Sequence, residues 1–74
     1  MARVTLYGWK EGFQKVQTNK LLREKAGLSL SQAKHTVDML LDGKSVSLEI
    51  PDRACATALI EEASMLGVEC KLDD

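Results

Sequence analysis

Aromatic side chains are nearly missing from this 74-residue chain: one tyrosine, one tryptophan and one phenylalanine, all between positions 7 and 13. A core built from the remaining residues has to be aliphatic. Proline occurs once, at Pro51, and neither a low-complexity tract nor an internal repeat is visible, so no stretch reads as a linker and residues 1–74 read as one domain. No apolar run approaches a membrane span, and Met1-Ala2-Arg3 leads into a strand-like stretch without the apolar segment of a secretory signal. A cytosolic protein without a membrane partner is expected. Cys55 and Cys70, fifteen apart with no second pair, fit neither a zinc-knuckle spacing nor a disulfide framework and read as two buried reduced thiols.

The same scarcity argues against catalysis. His35 is the only histidine, on the polar side of a helix beside Lys34 and Asp38, while both cysteines sit on apolar stripes, so a nucleophilic dyad is not assembled. Glu61 and Glu62 are helix neighbours facing different directions, which suits a solvated face better than an acid/base pair. The glycines are dispersed and form no phosphate loop, and metal ligands are few and scattered. Neither enzyme activity nor a cofactor is expected.

Charge is present in both signs and unevenly placed. Residues 1–34 carry seven cations against two anions, a net +5, and residues 35–74 carry three against nine, a net −6, which together give the overall −1. A one-signed patch steers association with a partner of opposite sign; alternatively, the halves neutralise each other within one compact domain.

The pattern along the chain gives six elements. Residues 3–8 alternate weakly, with Val4 and Leu6 on one face, and read as a strand followed by a turn over 8–12 that leaves Trp9 exposed in a loop. Helix formers run from about 14 to 26, with Thr18, Leu21 and Leu22 on one side. Gly27 can end that helix, and Ser29 followed by Gln32 is a capping box for the next, with Leu28 placed to staple onto Ala33. The second helix, 30–41, is expected to bury Leu30, Ala33, Val37 and Leu40 or Leu41 before stopping at Asp42-Gly43. Val46, Leu48 and Ile50 alternate with polar residues in a strand that Pro51 ends. Asp52 caps a third helix with the stripe Ala56, Leu59, Ala63 and Leu66, Gly67 terminates it, and Val68, Cys70 and Leu72 mark the last strand.

The order is thus β-α-α-β-α-β. Two helices between the first two strands make those strands antiparallel, one helix between the last two makes them parallel, and the first strand can sit between the others. The predicted fold class is α+β, a two-layer sandwich with three helices on one face of a three-stranded sheet. Thr5, Tyr7, Ser47, Glu49, Glu69 and Lys71 would occupy the other face.

On the first helix, Val16, Lys20 and Arg23 share a face at i, i+4, i+7, opposite Leu21 and Leu22 and flanked by Lys15 and Asn19; Lys34 lies near the corner on the same side. An apolar residue framed by cations has the anatomy of a protein-docking site, although an ordinary solvated face with one stray valine has the same spacing. Few cations, no interleaved aromatics and an acidic second half make nucleic acid a weaker reading.

From about Phe13 to Leu72 the chain resembles the C-terminal domain of the bacterial ribosomal stalk protein, the L-seven/L-twelve family. The resemblance rests on a lysine-valine start to the first helix, the turn Gly27-Leu28-x-Leu30, the following Ala33-Lys34, the Asp52-capped helix, and Leu66-Gly67-Val68-Glu69. It implies recruitment of a translational GTPase through the first helix and the corner lysine, with Lys15, Val16, Lys20, Arg23, Gly27 and Lys34 at the matching positions. Asn19 stands where that family has an isoleucine, Ser29 where it has a second glycine, and Ser31 where it often has lysine. Stalk subunits attach to the ribosome through an N-terminal dimerisation region and hinge; this chain is expected to act without them, as a free-standing relative that binds a GTPase or the ribosome, or as a redeployment of the fold. The chain is also similar to the Clp protease adaptor (ClpS-like) family in fold, at Asp42-Gly43-Lys44 and in its tail from Gly67 to Leu72, which implies docking to a Clp ATPase chaperone. The acidic loop and histidine of that family's substrate pocket are replaced here by Gly8-Trp9-Lys10-Glu11-Gly12 and Leu40.

Overall fold

The computed structural model describes residues 2–73, with β1 (Ala2–Trp9), α1 (Lys15–Lys25), α2 (Leu30–Leu41), β2 (Val46–Ile50), α3 (Arg53–Met65) and β3 (Val68–Leu72). Met1 and Asp74, which entered the reading of the chain start and the charge balance, lie outside the described residues. The sheet order is β2-β1-β3, and β1 is antiparallel to both neighbours. β2 and β3 therefore run parallel to each other on either side of β1, as the helix count between strands requires.

Alternation sets the two faces of the sheet. Val4, Leu6, Leu48, Ile50 and Val68 are buried beneath the helices, and Arg3, Tyr7, Ser47, Glu49 and Lys71 are exposed on the other face. Arg3 and Glu49, which are Cα partners, approach to 3.5 Å there. α2 packs on β1 and β2, and α3 packs on all three strands. α1 rests mainly against α2 and α3, burying Thr18, Leu21 and Leu22 between them. One side of α1 is thus consumed by helix packing and the remainder is open. The result is a two-layer α+β sandwich whose core contains no aromatic residue among its buried members.

β1 departs from the expected strand. It extends to Trp9 because a bulge lies between Leu6, paired with Cys70, and Gly8, paired with Glu69. The extra residue, Tyr7, shifts the alternation by one, so that Trp9 falls opposite buried Val68. Trp9 therefore belongs to a strand end, with its ring centroid 6.1 Å from that of Phe13, and not to a loop.

The helix ends follow local chemistry. The Ser29 hydroxyl accepts from the Gln32 amide at 3.1 Å, and the Gln32 side-chain oxygen accepts from the Ser29 amide at 3.0 Å, completing the capping box. Asp52 Oδ1 accepts from the Ala54 amide at 2.9 Å. Gly27 closes α1 with φ +70°, and the Leu28 amide reaches back to the Leu22 carbonyl at 3.4 Å. Gly67 closes α3 with φ +89° in much tighter quarters, where a Cβ would stand 3.0 Å from Phe13 Cα. The Lys10 amide donates to the Gly67 carbonyl and the Gln14 amide to the Leu66 carbonyl, so the loop into α1 is sewn to the turn out of α3.

Two burial expectations are corrected. Leu30, expected in the core, is 62% exposed, whereas burial of Leu40 meets the expectation that Leu40 or Leu41 is buried. The buried arc of α2 is Ala33, Thr36, Val37 and Leu40; at about 100° per residue, Leu30 lies about 70° from its centre, at the edge of the buried face. Cys55 and Cys70 are free thiols as expected, but half-buried.

Candidate functional site

An open groove of about 410 Å³ runs between α1 and α2. Lys15, Val16, Asn19, Lys20 and Arg23 line it from α1, and Leu30, Lys34, Val37 and Asp38 from α2. Six of the seven residues singled out in the sequence thus line one concavity. The seventh, Gly27, is not part of the lining: it forms the exposed corner behind it, with no atom within 4 Å of where its Cβ would be.

The groove has an apolar floor and a cationic rim. Val16 is 81% exposed, Leu30 projects from the first turn of α2, and the largely buried Val37 connects the floor to the core. Lys15, Lys20, Arg23 and Lys34 are all exposed, and none is within salt-bridge distance of a carboxylate among the described residues. Four unengaged cations around two exposed aliphatic side chains attract an acidic surface while offering an apolar seat for it. Asp38, one turn beyond Lys34 on α2, places a negative group in one wall and makes the groove electrostatically polar along its length.

Leu30, Val37 and Asp38 were not assigned to the site from sequence. Leu30 was counted as core on helical spacing; the available signal was its position immediately after the Ser29 cap, at the edge of the apolar arc. Val37 is shared between core and groove. Asp38 is visible only as the i+4 neighbour of Lys34, a spacing common on solvated helices.

The remaining reactive groups are differently placed. His35 is exposed on α2. The Cys55 thiol lies 3.7 Å from Asp52 Oδ2, and the Cys70 thiol donates to the Ile60 carbonyl at 3.8 Å. Burial pushes the Cys70 thiol above its ordinary pKa, the opposite of what activates a nucleophilic cysteine. Glu61 and Glu62 are both exposed on α3. Among the described residues no group of three or more His, Cys, Asp or Glu is placed to hold a metal ion, and no helix is long and apolar enough to cross a membrane. Neither protein-family models nor curated proteins give a match to this chain.

Proposed function

We propose that this protein is a non-enzymatic docking module of the cytosol that seats an acidic partner surface in the α1/α2 groove, and that the partner belongs to translation: a translational GTPase or the ribosome. The observation that carries the docking reading is the groove itself, in which Val16 and Leu30 form an exposed apolar seat ringed by four cations without ion-pair partners. The link to translation rests on the resemblance of the α1 face and the Gly27-to-Lys34 corner to the stalk C-terminal domain. Val16 and Leu30 act as anchors, Lys15, Lys20, Arg23 and Lys34 supply the charge complement, Asn19 lies in the α1 wall, and Asp38 orients the bound surface by repelling acidic groups from its end.

The test is affinity capture from native lysate at low and moderate salt with the wild-type domain and with K20E/R23E. Both substituted positions are exposed, so the fold should be unchanged, as circular dichroism would verify. Recovery of a translational GTPase or ribosomes by the wild type, reduced at least tenfold by the charge reversal and weakened by salt, is expected. Equal recovery by both forms would remove the groove from the interaction, and recovery of an ATPase chaperone would move the function to protein quality control.

A further inference from the structure

α1 separates two surfaces of opposite chemistry. One flank is the cationic groove. The other faces α3 across a depression of about 320 Å³, whose lining includes Lys20, Leu21, Glu24, Glu62 and Met65. Met65 is 84% exposed, the most exposed of the large hydrophobic residues. Glu61 and Glu62 precede it by four and three positions in α3, so the thioether rises between two carboxylates on the helix surface. Neither carboxylate has an ion-pair partner among the described residues.

An apolar knob between two anions is the complement of an apolar floor between cations. Methionine, unbranched and with a polarizable sulfur, adapts to irregular apolar recesses such as that between Val16 and Leu30. The two surfaces are also neighbours, because Lys20 lines both. A two-fold axis beside α1 can therefore bring the knob of each molecule to the groove of the other at the same time, the reciprocal contact of an isologous dimer.

We infer that a second copy of this chain docks here: Met65, Glu61 and Glu62 of each molecule enter the α1/α2 groove of its mate, forming a charge-dependent two-fold dimer. One knob and one groove per molecule make a contact at the small end of specific interfaces, so the dimer is transient and populated at high protein concentration. It covers the surface assigned above to the acidic partner, and dimer and partner-bound monomer exclude each other. The inference concerns the chain alone and stands whether or not that partner belongs to translation.

Sedimentation of the purified full chain over a wide concentration range, at low and high salt, tests it. Wild type, K20E/R23E, E61K/E62K and an equimolar mixture of the two variants are compared, with circular dichroism checking that each is folded. The wild-type mass should rise from monomer to dimer at low salt, stop there, and fall back when salt is raised. Each variant alone, with knob and groove now of like charge, should associate at least tenfold more weakly, and the mixture should regain a 1:1 dimer because one contact then pairs the inverted groove with the inverted knob while the other pairs the unaltered groove with the unaltered knob. A wild type that stays monomeric at low salt, a mass that continues past the dimer, or a mixture no more associated than its components would each overturn the inference.

Discussion

Gly27 and Gly67 both end a helix with a left-handed backbone, but the two turns have opposite surroundings. Around Gly27 there is open space; at Gly67 the Phe13 backbone lies where a side chain would begin, and two hydrogen bonds join this turn to the loop entering α1. The first turn needs glycine only for its φ angle, and the second needs it also for room. One belongs to a surface where another molecule can approach, the other to an internal joint that holds the chain ends of three elements together.

Substitution of the two glycines separates these requirements. Gly67→Ala combines a positive φ with close approach to the Phe13 backbone and should destabilise the domain by about 2–4 kcal/mol in urea unfolding, whereas Gly27→Ala carries the conformational cost alone, about 1–2 kcal/mol. Equal losses at both positions would mean that the Phe13 loop yields freely and that the joint is not tight.

A smaller effect sharpens the same contrast on the exposed side. A core leucine truncated to alanine usually costs about 2–5 kcal/mol, but Leu30→Ala should cost less than about 1 kcal/mol, because Leu30 lies mostly in solvent. The same change should weaken capture of the acidic partner, since it removes one of the two exposed groove anchors. Severe destabilisation would place Leu30 back in the core, where helical spacing alone puts it.

The smallest effect concerns β3. Desolvation holds the Cys70 thiol above its ordinary pKa, so the folded state disfavours the thiolate and the unfolded state ionises first as pH rises. This contribution to stability is fully present below the ordinary thiol pKa and is lost as pH rises through the raised folded value. Wild-type stability should therefore decline slightly more in the alkaline range than that of Cys70→Ala, a difference readable in urea midpoints.

Features fixed by near neighbours were readable in the residues. The Ser29/Gln32 box, the Asp52 cap and the alternation of Val46, Leu48 and Ile50 each depend on a few consecutive positions, and the relative directions of the strands follow from counting helices between them, which leaves room for the central place of β1. The basic stripe on α1 was equally visible, because helical spacing places its members together whatever the rest of the fold does. What escaped depends on distant partners. Trp9 enters the sheet because the bulge at Tyr7 is accommodated by β3, some sixty residues further along the chain, and Leu30 is exposed because the space beside it is an open groove facing α1 and is not filled by another side chain of the core. Spacing within α2 cannot report that empty space, and so the second anchor of the groove was hidden among core residues.

The capping box has one more consequence. Only four residues, 26–29, separate α1 from α2; Leu28 packs against the core, and Ser29 is held at both its amide and its hydroxyl. With the start of α2 fixed by its cap and α1 packed on α2 and α3 through buried Leu21 and Leu22, an incoming molecule meets a seat already assembled. Fixing a loose backbone residue costs roughly 1–2 kcal/mol in entropy, and here that cost was met when the domain folded. What a partner must still immobilise is the tips of the lysines and Arg23, so differences in affinity among partners should reflect how ordered each partner is before it arrives.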